Sequence, residues 1–278
     1  LFEQASTRGH VQETANGILT FPFAIRNQLT TAMSTLEASY NLKDELNQFQ
    51  REHFITGLKQ AKSDSRDGYV FGHNSDGYRL KEMIELLQRH EIEVFHLDKN
   101  VSAGGKQFNS ETGFVVPLDQ PQYRLIKSMF DPITTFTDSL FYDVSTWTIP
   151  YSFNIPYADM KSLGGYKGKP ADLSYITTGG LISVDNPYSY IFEWDEYLSP
   201  RALNRILASG LRAKTASQPF TAATSEGSLK FDYGSIAVPV YNQDKSPEEI
   251  RSLMQQIVDQ DNISVYGIQS GLTPKGID

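Results

Sequence analysis

The stretch from Gly68 to Leu97 is the part of the sequence that most constrains the fold. It opens on the apolar run Tyr69–Phe71 and closes on a second strand-like run, Ile92–Leu97. Between these runs, a helix buried on one face is predicted by apolar residues at helical spacing: Leu80, Met83, Ile84 and Leu87. A strand, a one-sided helix and a strand form a βαβ unit, and such units build parallel sheets. The stretch therefore predicts the α/β fold class with mainly parallel sheets.

Two α/β modules are predicted, preceded by a strand and a long helix. The polar run Ser63–Asp67 separates the opening segment, residues 1–66, from the first module, residues 67–164. The Gly- and Lys-rich residues 164–169 are typical of a linker, and the second module is residues 165–278. We find no short-period repeat, although both modules are built from strand and helix patterns.

The second module carries its own helix and strand signals. Tyr190–Trp194 is strand-like, Ser199 and Pro200 open a helix, and Gly210 closes it. Ser246–Glu249 is a capping box with proline at the first helical position, so a further helix is expected to start there.

Composition excludes several classes of function. The chain of 278 residues has a formal net charge of −8 and shows no cluster of Lys and Arg, which argues against a nucleic-acid partner. It has no cysteine, which removes disulfides, thiolate zinc sites and cysteine nucleophiles together. No apolar run approaches the length of a membrane span, so no membrane partner is expected.

The opening segment resembles the end of a known peptidase domain. The strand-like run Leu1–Ala5 contains Glu3 and is followed by a long helical pattern through apolar residues: Ile25, Leu29, Met33, Leu36 and Tyr40. This arrangement is similar to the C-terminal end of the carboxypeptidase A-type zinc metallocarboxypeptidases. The chain looks most like the large bacterial zinc carboxypeptidase-like proteins that carry additional α/β domains.

The resemblance implies a role for Glu3 as the catalytic general base, because a carboxylate beside a zinc-bound water can accept its proton. It also implies zinc in the parent protein, a peptide substrate, a preceding peptidase domain as partner, and export to the periplasm or medium. Gln4–Ser6 stands where the digestive enzymes have Leu-Arg-Asp, which leaves substrate preference and activity open. The alternative is that Glu3 is simply an acid at a strand end.

Two pairs in the chain match the family's His-x-x-Glu zinc motif by spacing: His10 with Glu13, and His90 with Glu93. The family also needs a second histidine well downstream, but the last histidine here is His96. We therefore interpret both pairs as chance matches and expect no zinc in this chain. We interpret the chain as an inactive fragment whose zinc ligands precede Leu1.

A ligand site is predicted between the first strand and helix of the first module, at His73, Asn74 and Ser75. Backbone N–H groups and the positive end of a helix dipole meet at such a place, and a polar neutral or cationic ligand is expected. The alternative is a plain helix cap supplied by Ser75 or Asp76. A Gly-x-Ser-x-Gly hydrolase is disfavoured because no histidine follows His96.

Aromatic residues near strand ends could line a peptide or sugar groove or belong to the core: Tyr142, Trp147, Tyr188, Tyr190 and Trp194. Two hypotheses about function follow. The chain is the C-terminal part of a zinc metallocarboxypeptidase-like protein, or its modules are a non-catalytic binding or scaffolding unit for peptides or glycans.

Overall fold

The computed structural model describes residues 4, 7–72, 76–134, 148–173, 179–272 and 275–276. The chain divides into two compact units, residues 1–60 and residues 61–278. No helix within the described ranges combines the length and apolarity needed to cross a membrane.

The first unit contains a hairpin and two long helices. Strands β1 (Val11–Thr14) and β2 (Gly17–Thr20) pair antiparallel, and helices α1 (Phe21–Asn41) and α2 (Lys43–Ser63) follow. Thr20 caps α1 by accepting a hydrogen bond from the Phe23 N–H, and proline occupies the first turn. The predicted long helix is therefore confirmed. The last residues of α2 belong to the second unit.

The first module of the second unit is built on a five-stranded sheet. Its strands are β3 (Gly68–Gly72), β4 (Phe95–Leu97), β7 (Gly113–Pro117), β8 (Tyr157–Met160) and β9 (Lys167–Pro170). Its helices are α3 (Gly77–Arg89), α4 (Tyr123–Phe130) and the short α5 (Ile149–Ser152). A separate hairpin is formed by β5 (Val101–Ala103) and β6 (Lys106–Phe108).

The prediction of mainly parallel sheets is wrong. The strand order is β8-β3-β7-β4-β9, and every neighbouring pair is antiparallel. The predicted strand–helix–strand passage β3-α3-β4 is present, and its two strands run in the same direction. However, β7 lies between them and is antiparallel to both, which makes a split βαβ unit. Strand β9 also belongs to this sheet, although its residues fall in the predicted linker and second module.

The second module has a sheet of the same kind. Its strands are β10 (Leu181–Ile182), β11 (Ser189–Phe192), β12 (Lys214–Thr215), β15 (Ile236–Pro239) and β16 (Val265–Ile268). Helices α6 (Ser199–Ala208) and α7 (Pro247–Asp261) and a hairpin of β13 (Phe220–Thr224) and β14 (Gly227–Phe231) complete it. The order is β10-β16-β11-β15-β12, and only the β10–β16 pair is parallel.

The two modules share one topology. In each, four strands numbered along the module lie in the order 4-1-3-2, which is the ferredoxin-like βαββαβ arrangement. Each also inserts a hairpin between its second and third strands. The registers correspond, because Tyr69 lies opposite Val116 and Tyr190 lies opposite Val238. The second unit is therefore a tandem pair of similar modules.

Each sheet is covered by helices on one face and by the hairpin on the other. Tyr69 and Phe71 belong to the core beneath α3 and α4, whereas Val70, between them, belongs to the core beneath the hairpin. Tyr190 and Phe192 pack on the helix side and Ile191 on the hairpin side in the same way. This alternation is the two-residue period of a strand with both faces buried.

Candidate functional site

The ligand site predicted from the sequence lies partly outside the described residues, which exclude His73, Asn74 and Ser75. Asp76 is described and is the N-cap of α3. Its Oδ1 atom accepts a hydrogen bond from the Arg79 N–H at 2.9 Å, and its Oδ2 atom accepts one from the Tyr197 N–H at 2.8 Å. The side chain is 2% exposed and also pairs with the Arg79 guanidinium at 3.1 Å. The helix-cap interpretation is therefore confirmed for Asp76.

The contact between Asp76 and Tyr197 joins the loops that follow the first strand of each module. A crevice of about 330 Å³ opens beside this contact, and we call it the Tyr78–Tyr197 crevice. Its lining residues come from the start of α3, from α5 and the residue after it, and from the loop after β11: Tyr78, Arg79, Glu82, Ser152, Phe153 and Tyr197. The crevice lies at the start of α3, the region in which the sequence predicted a ligand.

Two stacked aromatic rings organise the crevice. The rings of Tyr78 and Tyr197 are nearly parallel, at 10°, with centroids 5.5 Å apart. The guanidinium of Arg79 lies 5.8 Å from the Tyr197 centroid and donates a hydrogen bond to the Asp195 carbonyl at 2.8 Å. Burial and the neighbouring Glu82 carboxylate raise the pKa of Tyr78, so its hydroxyl stays protonated. The crevice therefore offers aromatic surface, one cation and one anion to a ligand.

A buried acid, Glu196, directly precedes the crevice residue Tyr197 in the chain. Glu196 is 7% exposed and accepts a hydrogen bond from the Ser264 N–H at 3.3 Å. Burial raises the pKa of Glu196 to about 8, and the nearby charges of Asp76, Asp195 and Glu193 contribute to the rise. The Glu196 carboxyl group is therefore largely neutral at pH 7.

A second cluster of charged side chains was missed by the sequence analysis, which treated Ser63–Asp67 only as a polar break. Arg66 binds Asp131 at 2.8 Å and Asp64 at 3.2 Å, and Lys127 contacts the same two carboxylates at 2.7 and 3.3 Å. The hydroxyl of Tyr69 donates to Asp131 at 2.6 Å. Only the Lys127–Asp131 spacing of four residues was visible in the sequence.

This charged cluster shifts the pKa values of its acids. Burial alone would raise the pKa of Asp131, but hydrogen bonds from Arg66, Lys127 and Tyr69 outweigh it and lower the value to about 2. Burial opposes the shift at Asp64 too, and hydrogen bonds from Arg66 and Tyr123 hold its pKa well below its usual range. Arg66 also lies 3.5 Å from Asp159, so the cluster holds two cations and three carboxylates, and it ties the start of β3 to the end of α4.

The residues considered for zinc chemistry lie at exposed positions or outside the described residues. Glu3 lies outside the described residues. His10 and Glu13 are exposed around β1, and His90 and Glu93 are exposed after α3. Across the described ranges, no group of three His, Cys, Asp or Glu side chains is placed to hold a metal ion.

The aromatic residues proposed for a groove have different environments. Tyr190 is in the core at 1% exposure, whereas Tyr188 is 47% exposed and Trp194 is 38% exposed. Tyr142 and Trp147 lie outside the described residues. Tyr197, which does line the crevice, was not singled out because its partner Tyr78 is far away in the sequence.

Comparison with known proteins finds no significant similarity to a protein-family model, a curated protein or a solved structure.

Proposed function

We propose that this chain is the C-terminal portion of a zinc metallocarboxypeptidase-like protein that hydrolyses C-terminal peptide bonds. In this proposal residues 1–66 end the peptidase domain, Glu3 is the general base, and the zinc ligands precede Leu1. A zinc-bound water attacks the peptide carbonyl while Glu3 accepts its proton and passes it to the leaving amine. The chain alone is inactive because its zinc ligands are elsewhere.

The apolar side of α1 supports this proposal. The large side chains at the helical spacing predicted from the sequence are more than half exposed: Ile25, Leu29, Met33, Leu36 and Tyr40. Burying a side chain of this kind stabilises a protein by about 1.5–3 kcal/mol, and a contiguous exposed apolar patch marks an interaction surface. A peptidase domain packed on this helix would cover the patch, as the resemblance requires.

The test uses a longer chain that includes the residues preceding Leu1. Glu3→Gln should retain bound zinc and lose hydrolysis of C-terminal residues, since the amide keeps the shape but cannot accept the proton. Glu13→Gln is the matched control and should keep full activity. Near-normal turnover by Glu3→Gln would contradict the proposal. Tight one-to-one zinc binding by residues 1–278 alone would also contradict it and would favour His10 and Glu13 or His90 and Glu93.

A second function is favoured by the Tyr78–Tyr197 crevice, namely non-catalytic binding of a short peptide or glycan by the paired modules. The supporting observation is the stacked aromatic pair flanked by Arg79 and Glu82. Aromatic faces contact sugar rings and apolar side chains, while the two charged groups can bind hydroxyl or peptide groups. This binding function is compatible with a peptidase activity of the parent protein.

Titration of the whole chain with chitotetraose and with tetra-alanine, followed by nuclear magnetic resonance, tests the crevice. One of these probes should shift the resonances of crevice residues, and Tyr197→Ala should weaken its binding by about tenfold. Tyr241→Ala removes an equally exposed tyrosine that does not line the crevice and should leave binding unchanged. Equal binding by Tyr197→Ala and the unaltered chain would contradict this function.

A further inference from the structure

The two modules differ at one edge of their sheets. In the first module, β9 pairs antiparallel with β4, the second strand of the 4-1-3-2 order, with Phe95 opposite Pro170 and Leu97 opposite Lys167. In the second module, β12 is the equivalent strand, and it is the last strand of its sheet among the described residues. The first module therefore covers this edge with its own chain, whereas no described residue pairs with the equivalent edge of the second module.

The segment Ser162–Ala171 closes the first module in two steps. Leu163 packs into the core beneath the hairpin, and a Cβ atom placed on Gly68 would lie only 2.8 Å from its Cδ1 atom. The Tyr166 carbonyl then accepts a hydrogen bond from the Asp98 N–H at 2.8 Å, which leads the chain into β9. The Leu163 side chain thus covers the hairpin-side face of the sheet at Gly68, and the residues after it add one strand to the sheet.

The second module has an open groove at the place that corresponds to the position covered by Leu163 in the first module. Gly68 lies opposite Pro117 and Ser189 lies opposite Pro239, so Ser189 occupies the position that Leu163 covers in the first module. Ser189 and Pro239 line a cavity of about 200 Å³ on the hairpin side of the second sheet. The cavity extends to β12, where Lys214, Thr215 and Ala216 line it. It is mostly apolar, and Lys214 is the one charged residue among its lining residues.

The open edge of β12 has backbone groups available for pairing. The Ala216 N–H donates to the Ser235 carbonyl at 2.9 Å, on the β15 side. Because peptide groups alternate between the two sides of a strand, the N–H and C=O of Thr215 face outward. In the first module, the residue equivalent to Thr215 is His96, since His96 lies opposite Phe114 and Thr215 lies opposite Ile236. His96 lies on the part of β4 that β9 covers.

The charge at this edge indicates what would bind there. Phe95 lies opposite Val115 in the first module, and Lys214 lies opposite Ala237 in the second. Lys214 therefore occupies the position equivalent to Phe95. In the first module the ammonium of Lys167 in β9 lies 3.7 Å from the Phe95 ring centroid. A strand with lysine at that position would be repelled by Lys214, whereas one with a carboxylate would pair with it. Lys214 has no ion pair within the described part of the chain.

We propose that the edge of β12 and the adjoining groove bind an extended peptide segment of a partner protein. The segment adds an antiparallel strand to β12, inserts an apolar side chain into the groove, and places a carboxylate beside Lys214. This is β-strand addition, in which backbone hydrogen bonds supply affinity and side-chain pockets supply specificity. The inference does not depend on the peptidase proposal or on the Tyr78–Tyr197 crevice.

The probe is a fluorescent peptide with the sequence of Ser162–Ala171 carrying Lys167→Glu, titrated into the whole chain and followed by fluorescence anisotropy. Saturable binding is expected. The Leu163→Ala form of the peptide should bind about tenfold more weakly, because it lacks the apolar anchor. In the protein, Thr215→Pro removes an outward N–H and should weaken binding by about tenfold. The variant should still fold, because edge strands tolerate proline.

Charge exchange gives a test that does not rely on Thr215→Pro folding. Lys214→Glu, at an exposed position, should reverse the preference, so that the peptide with the natural Lys167 binds more tightly than the glutamate peptide. Absence of saturable binding, or equal binding by the chain and both variants, would overturn the proposal. A concentration-dependent dimer that Thr215→Pro abolishes would assign the edge to a second copy of the chain and would also overturn it.

Discussion

The first and second modules have the same strand order but complete their surfaces differently. The first uses Leu163 and β9 to fill one sheet face and cover one edge, and it ties β3 to α4 with the charged cluster around Arg66. In the second module, the corresponding face has a cavity, and no strand among the described residues pairs with the corresponding edge. The comparison teaches that this topology does not by itself determine which surfaces are closed, because the segments outside the four strands decide that.

The largest effects are expected at equivalent core positions. Phe71 and Phe192 are both fully buried in the first strand of their modules. Phe71→Ala and Phe192→Ala should each lower the free energy of unfolding by about 3–5 kcal/mol, because each leaves a cavity between sheet and helices. Urea denaturation measures both free energies of unfolding. Phe49→Ala, at an exposed position, is the control and should change the free energy of unfolding little. A large effect at only one of the two positions would break the equivalence of the modules.

The next effect concerns the segments that follow the fourth strand. Leu163 is 7% exposed, whereas Leu272, in the corresponding segment of the second module, is 80% exposed. Leu163→Ala should cost about 2–5 kcal/mol of folding free energy and Leu272→Ala less than about 0.5 kcal/mol. Denaturation of the two variants side by side sharpens the contrast between the filled and open faces. Similar costs would show that both segments pack in solution.

The charged cluster should make the first module sensitive to acid. The pKa values of Asp64 and Asp131 are lowered on folding, so their stabilising contribution is present above about pH 4 and is lost as the pH falls toward 2. Arg66→Met should therefore destabilise the chain by about 2 kcal/mol at pH 7, and the difference should shrink on acidification. Thermal unfolding of Arg66→Met and of the unaltered chain between pH 7 and pH 2 measures this stability difference. A difference independent of pH would exclude the ion pairs as its cause.

Glu196, in the loop after β11, should make the second module sensitive to alkali. Its pKa is raised to about 8 on folding, so the folded chain holds a proton that the unfolded chain releases. Stability should fall as the pH rises from about 4.5 through 8. Glu196→Gln should remove this loss and raise the melting temperature at pH 9 by about 2–4 °C for each kcal/mol recovered. Glu226→Gln, at an exposed turn, is the control, and the same gain there would contradict a local origin.

The smallest effect is expected at the cap of α7. Ser246 accepts a hydrogen bond from the Glu249 N–H at 3.2 Å, and Glu249 accepts one from the Ser246 N–H at 2.8 Å. Ser246→Ala should cost about 1 kcal/mol of folding free energy. The corresponding helix of the first module, α4, has no side-chain cap, so the second module alone offers this test. Ser252→Ala, an exposed change within α7, should not destabilise the chain in the same urea titration.

Local elements were predictable from the sequence because local periodicity determines them. The predicted inward-facing residues of α3 are all buried in the structure, and the capping box at Ser246 is present. Asp76 was one of two caps considered for α3, and its side chain does cap that helix. These features depend on residues within one or two helical turns of each other, so the sequence contains all the necessary information.

Strand order was not predictable in the same way. The pattern of β3, α3 and β4 fits adjacent parallel strands and a split βαβ unit equally well, because both place the helix on one face. The difference is made by β7, which is formed by residues further along the chain. The stacking of Tyr78 on Tyr197 and the pairing of Arg66 with Asp131 likewise join residues that are distant in sequence. Such contacts require the tertiary fold.

The central position of β3 has a consequence for synthesis on the ribosome. Strand β3 is the first strand of its module to leave the ribosome but pairs with β7 and β8, and Gly68 lies opposite both Pro117 and Met160. Both partners are made later than β3, so β3 cannot be paired on both sides until β8 has been translated. Long-range pairings of this kind slow folding and expose unpaired strands in the meantime. A nascent chain stalled before Tyr157 should therefore remain sensitive to protease, while one stalled well beyond Pro170 should become resistant.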